Sequence, residues 1–416
     1  MKNLRRALST FVASGLCAAV WAGEFTPGNL VVVSVSNFGT GGSGSVVLKE
    51  YSTSGTFVGD TVVLPDSGFD AVSLPDFTNH DRHLHRSTDG RFLVLAAYMS
   101  EPNPSPTADP SGLSSAIAPR VAALIKFDGT VDLTTRLDVD FDATSLRGAC
   151  STDGKNIWLA GDNASGATTT GGLRFTTRGS NTSVNLSQVQ VMGGPKTTDN
   201  VRDVGIFEDQ LYDCSGSSSS IGKAVFTVGS GLPTSGSQTL TTMNTDGAST
   251  SSFAFLDVGG SGPDVFYAAT SAAGDGVHKY VKQANGTWAA RGYVGFSGVE
   301  HVIAVLNADN GTVTIYAGGP LGIAVITDST PLTGTLSGGV STFIIVPEDG
   351  HSLGGFDFAP SGCVGDYDGN SFVNGDDFDS FVSDFVFGLS AADIDGDGFV
   401  TGNDFDYFVD HFVAGC

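Results

Sequence analysis

Basic side chains are scarce in this chain. Its 416 residues hold 20 Lys and Arg against 44 Asp and Glu, a formal net charge of −24. A surface with that balance repels a phosphate backbone, so no nucleic acid partner is expected. Beyond the first 22 residues no apolar run approaches the ~20 residues of a membrane-crossing helix, so no membrane span is expected either. No GxSxG, HExxH or phosphate-loop motif occurs, which removes the enzyme classes those motifs announce. The paired carboxylates of glycoside hydrolysis would leave no such trace, because they come from distant loops. Sustained helical periodicity is also missing from residues 23–361, which excludes a helical bundle there.

What is present begins with a leader. Lys2, Arg5 and Arg6 precede an apolar stretch that ends in Val20-Trp21-Ala22. Residues 1–22 therefore read as a signal peptide, and the mature protein is expected to be secreted or extracellular, with the periplasm or a cell surface as further destinations.

Residues 23–361 are rich in Gly, Ser, Thr and Val, and turn signals break them every few residues. Short alternating runs between such breaks predict strands. One phrase recurs: an inner strand, a polar turn, then a strand ending in small residues. It starts at His83, Arg147 and Arg202, with weaker copies at Ser252 and Glu300, and a second hairpin follows each. Five four-stranded units result. Three strands from Leu30 and one from Leu353 supply a sixth. The expected fold is all-β, a six-bladed β-propeller closed by both termini. A β-sandwich array and a right-handed β-helix are the alternatives. The Leu30–Pro65 and Thr88–Tyr98 phrases resemble an uncharacterised family of exported bacterial propellers, which implies a fold and no established activity.

Residues 362–416 differ in kind, with 12 Asp and no Lys or Arg. Two acidic loops run from Asp366 to Asp377 and from Asp393 to Asp404, offset by 27 residues. Calcium takes six to eight oxygen ligands, and a 12-residue loop supplies them at positions 1, 3, 5, 7, 9 and 12. Asp366, Asp368, Asn370 and Asp377, with the Phe372 carbonyl, make one expected cage. Asp393, Asp395, Asp397 and Asp404, with the Phe399 carbonyl, make the other. Asn374 and Thr401 would act through water. Ser371 stands where a sharp turn favours glycine, so the first loop is expected to be the weaker site. Phe378, Phe381 and Phe385 recur as Phe405, Phe408 and Phe412, each trio on one face of a short helix. This module resembles a type I dockerin, with tandem EF-hand-like loops. The resemblance implies two calcium ions, a small α-helical fold and attachment to a cohesin-like or cell-surface partner. Gly375-Asp376 and Gly402-Asn403 depart from the usual cohesin-contact pair, so no particular cohesin carries over. Packing of the two halves would bring Cys363 near Cys416. Four mature cysteines allow three pairings; Cys363–Cys416 is favoured, with Cys150–Cys214 as the remainder.

Within the propeller, aligned inner strands place His83, Arg147, Arg202 and His301 in register. Such a ring would suit an anionic ligand, or would pair internally with carboxylates such as Asp203 and Glu300. His80, His83 and His85 form a denser cluster that could hold zinc given a third ligand; a satisfied polar strand end is the plainer reading. The expectation is a non-catalytic recognition or display protein that binds a glycan, peptide or small anionic ligand. The alternatives are a polysaccharide-active hydrolase or lyase and a structural surface component.

Overall fold

The computed structural model describes residues 24–416 apart from 77–79, 163–169, 187, 191–199, 218–220, 271–275, 308, 368–372, 390–391, 393–398 and 416. The leader expected over residues 1–22 lies outside them.

Six sheets radiate from one axis, each beginning with an inner strand: Leu84–Arg86, Leu146–Ser151, Asp203–Phe207, Thr250–Leu256, His301–Asn307 and Ser352–Phe358. Every inner strand touches the next around the ring, and the last touches the first. The second strand of a blade is covered on both faces by its neighbours. Phe92–Tyr98 is accordingly a continuous apolar run, FLVLAAY, with every residue buried, as a strand with no solvent face requires. The uniform count of four strands per blade does not hold. Among the described residues the His301 blade has three strands. In the Asp203 blade a short parallel strand, Gln188–Gln190, adds to Gln238–Thr242 as a fifth.

Closure by both termini also needs correction. The strands form six separate blade sheets and one two-stranded ribbon, and among the described residues no sheet is closed by hydrogen bonds. Neighbouring blades meet face to face mainly through side chains, with isolated backbone bonds such as Gly355 N–H to the Arg82 carbonyl, so their ladders do not join. Ser352–Phe358 does lie antiparallel to Leu30–Val35 within one blade, with Leu30 opposite Phe358. Packing completes the ring: Leu30, Val32 and Phe356 of that blade share a core with Ile303, Tyr316 and Ile323 of the preceding one.

The C-terminal module contains two helices, Gly375–Phe387 and Gly402–Ala414. Their repeated phenylalanines meet as the spacing predicts. Phe381 and Phe408 are fully buried and stack with ring centroids 4.1 Å apart. Each helix opens with a capping box, Asn374 with Asp377 and Thr401 with Asp404. This satisfies backbone donors that the first turn cannot. Asp368, Asn370, Phe372, Asp393, Asp395 and Asp397 lie outside the described residues, so a small helical module is what the structure establishes here.

The remaining cysteine pairing fails. Cys150 and Cys214 are free thiols, both buried, and burial pushes both well above the ordinary thiol range. Cys150 lies on an inner strand and packs in the core shared by the Leu146 and Asp203 blades. Cys214 belongs to a different core, with Phe253 and Phe266. The Cys363–Cys416 pairing involves a residue outside those described.

Candidate metal centre on the propeller axis

The segment before the first inner strand is bent sharply. His80 and Arg82 have φ of 58° and 82°, a left-handed conformation that costs a non-glycine residue energy and persists only where surrounding contacts enforce it. Those contacts are present. Tyr98 donates its hydroxyl to Asp81 at 2.9 Å, and Arg82 donates Nη1 to the Ser352 hydroxyl at 2.8 Å. The bend delivers His83, whose backbone N–H donates to the Arg147 carbonyl at 3.2 Å.

On the strand that follows, His83 and His85 share a face because side chains two residues apart do so. Their rings lie 6.2 Å apart. Asp203 opens another inner strand and completes the group. Its Oδ1 lies 2.7 Å from His85 Nε2, and its Oδ2 lies 3.7 Å from His83 Nδ1. Each of the three residues offers one ligand atom, and all three atoms fall within 4.8 Å of one another. His301 adds a third ring, with its Nδ1 3.0 Å from His83 Nδ1. Close approach depends on glycine. A Cβ on Gly148 would stand 2.8 Å from Asp203 Oδ1, and one on Gly355 would stand 2.4 Å from the Leu84 backbone nitrogen.

Burial and charge oppose each other here. Burial alone would raise Asp203, but His83, His85 and His301 with the His85 hydrogen bond hold its carboxyl well below the usual range. Burial pulls His85 down, and the Asp203 charge and hydrogen bond with the Asp357 charge outweigh it, so His85 is raised. For His83 burial wins over Asp203, and its pKa falls to about 4. His301 is lowered well below its ordinary value, mainly by burial. His83 and His301, neutral beside an ionised carboxylate, are in the states that metal binding requires, and a metal at His85 would displace its proton. His83 Nε2, His301 Nε2 and Asp203 Oδ2 are buried without a hydrogen-bond partner, although such groups are ordinarily paired. These residues fit a borderline divalent metal better than calcium, which prefers oxygen donors.

A pocket of about 180 Å³ opens among the later residues of the six inner strands. His85 and Asp357 line it with Arg86, Ser151, Phe207 and Phe255. His85 therefore belongs to both the metal cluster and the pocket, and its side chain is 15% exposed.

Of the four residues expected to form an anionic-ligand ring, the structure brings two together. His83 and His301 meet at the axis, whereas Arg147 and Arg202 turn aside. Arg147 lies 3.5 Å from Asp81 and 3.6 Å from Asp162, and Arg202 donates to the Ser249 and Ser251 hydroxyls. The layer at the axis contains His83, Gly148, Asp203 and His301, so the Arg147 and Arg202 strands are offset by one residue from the sequence alignment. A one-residue slip exchanges the two faces of a strand. Asp203 was missed as a ligand for that reason. Its available signal was its place immediately after Arg202, where the corrected register sets it beside His83. His80, the third expected histidine, keeps a buried Nδ1 without a partner, and burial with nearby Arg202 and Arg147 lowers its pKa to about 2.

No family model and no curated protein matches the chain. Solved structures resemble it distantly. A periplasmic gluconolactonase of Pseudomonas aeruginosa is 13% identical, with a TM-score of 0.38, over 71% of this chain and 78% of that one. A 6-phosphogluconolactonase of Bacteroides fragilis is 14% identical, with a TM-score of 0.38, over 74% and 96%. An ancestral GH74 enzyme is 13% identical, with a TM-score of 0.37, over 74% of this chain and 38% of that one. Likeness at this level carries no argument about chemistry. The site itself overturns the expectation of a non-catalytic display protein, because a plain recognition surface gives no reason to bury a His-His-Asp cluster beside a pocket. Among the described residues no helix is long and apolar enough to cross a membrane.

Proposed function

We propose that the propeller is a metal-dependent hydrolytic enzyme acting on a carbohydrate-derived substrate, with its centre at His83, His85 and Asp203. One observation carries this reading: three donor residues converge within 4.8 Å, and one of them, His85, lines an adjoining pocket. These residues would hold a divalent transition metal, which would supply Lewis-acid polarisation of a substrate oxygen. Asp203 fixes the His85 ring and stays ionised. His85, held by that carboxylate, places its ring at the pocket wall beside the metal position. Phe207, Phe253 and Phe255 offer apolar faces to a ring, while Arg86 and Asp357 offer polar contacts. The pocket is smaller than the ~300–1,000 Å³ of ordinary ligand sites, so it suits one sugar unit or a lactone-sized group at a time.

The test uses the purified full chain. Metal content is measured by mass spectrometry, and turnover is scored against lactones and polysaccharides, with and without a chelator. About one zinc, manganese or iron per chain, with turnover lost on chelation and in His85→Ala, supports the proposal. A chain that binds none of these metals and turns over nothing overturns it.

For the helical module, the reading that remains is attachment to a cohesin-like or surface partner of an exported protein, with calcium in the two loops. Support comes from the loop spacing and the paired capping boxes, and the division at about residue 362 belongs to the same proposal. Calcium titration of the full chain, followed by helical circular dichroism, tests it. No response to calcium removes the calcium reading.

A further inference from the structure

The His83–His85–Asp203 group leaves His301 without a role, yet this ring sits against it. His301 is 1% exposed, and its centroid lies 5.3 Å from His83 and 5.4 Å from His85. Polar atoms beside it are His83 Nδ1 at 3.0 Å, the Ser252 hydroxyl at 3.5 Å and the Phe356 backbone. Two like ring nitrogens at that separation make a single hydrogen bond only if one carries the proton and the other does not. A cation between them would instead use both lone pairs.

The spacings around His83 also admit a cation, while His301 lies outside the 4.8 Å group formed by His83, His85 and Asp203. Nitrogen ligands about 2.0–2.1 Å from a tetrahedral metal stand roughly 3.3 Å from one another. His83 Nδ1 is 3.0 Å from His301 Nδ1 and 3.7 Å from Asp203 Oδ2, values on either side of that edge. The ring is braced from behind by an edge-to-face contact with Phe356, centroids 5.0 Å apart. His301 also opens its own inner strand, so three separate blades contribute donors at one level of the axis.

We infer that His301 is a fourth metal ligand, so that the axis holds a centre of three histidines and one carboxylate. The inference rests on the metal reading proposed above and deepens it. Three imidazoles shift the preference further from calcium and magnesium toward zinc, cobalt, iron or copper. Four protein ligands from three blades also tie those blades together, so a substrate oxygen would have to join such a centre as a fifth ligand.

The experiment loads the full wild-type chain with zinc, and in parallel with cobalt(II). X-ray absorption at the zinc edge counts imidazoles, and the visible cobalt bands report geometry. Three imidazoles in wild type are expected. His301→Ala should bind zinc at least roughly 100-fold more weakly, a loss no smaller than the 10–100-fold typical when an outer-shell partner of a ligand is removed. Its cobalt spectrum should change, while His301→Gln should recover part of the affinity. Two imidazoles in wild type, or unchanged affinity and spectrum in His301→Ala, overturn the inference and leave the three-residue site standing. Failure of the wild-type chain to bind either metal removes both readings. The ligand count on wild type decides even if the variant does not fold.

Discussion

His85 Nε2 and Asp203 Oδ1 lie 2.7 Å apart, although 118 residues separate them in the chain. Asp203 is buried and kept ionised by the imidazoles around it, and it raises His85 in return. A histidine whose folded pKa exceeds its unfolded value contributes stability that is fully present below about pH 6.5 and is lost as pH rises through the folded value. Asp203→Asn keeps the shape and removes the charge. In the metal-free chain the advantage of wild type over this variant in melting temperature should be largest below about pH 6.5 and shrink as pH rises above it. An advantage independent of pH would show that His85 does not carry the charge assigned to it.

Gly148 offers a separate handle on the same pair. A methyl group there would press on Asp203 Oδ1 from 2.8 Å. The contact is with a side-chain atom, so the carboxylate can yield while the strand stays in place. Gly148→Ala should lower turnover by tenfold or more and shift the melting temperature by only a few degrees. Equal turnover in the two proteins would mean that the position of Asp203 does not matter.

Arg147 is expected to hold structure in place. It faces Asp81, whose side chain is wholly buried and whose pKa rises to about 6 because burial outweighs the pull of Arg147. Removing one partner of a buried pair costs about 3–5 kcal/mol. Without Arg147 the Asp81 carboxyl rises further and accepts a proton, which relieves the cost at low pH. In urea unfolding, Arg147→Ala should therefore lose about 3 kcal/mol near pH 8 and clearly less near pH 5. A loss that does not depend on pH would show that Asp81 is not the stranded group.

Truncation separates the module from the ring. Ending the chain after residue 361 removes both helices and the ion pair between Arg91 and Asp366, but leaves every blade strand in place. Ending it at residue 350 also removes Ser352–Phe358 and uncovers the buried Leu30–Val35 strand. Melting curves should show a folded propeller in the first case and an aggregating product in the second. Similar behaviour of the two products would mean that the inner strand is dispensable.

The sequence by itself determined the number of blades and placed the start of each inner strand to within one or two residues. Turn residues and strand periodicity are local, and the recurring phrase beginning near His83, Arg147, Arg202, Ser252 and Glu300 marks the same point of each blade. It also determined that Phe381 and Phe408 would meet, because helical spacing puts each on an apolar face and leaves that face only one partner. Tertiary structure decided which residues reach the axis. Side chains alternate along a strand, so the choice between Arg202 and Asp203, or between Arg147 and Gly148, turns on a one-residue register set by the bend at His80–Arg82 and by packing between blades. It likewise separated Cys150 from Cys214 into different cores. The metal cluster takes His85 from the start of the first inner strand and His83 from the residue before it, Asp203 from a strand two blades on, and His301 from another blade. No local pattern records that convergence, because closing the ring through blade packing is what brings those strands to one axis.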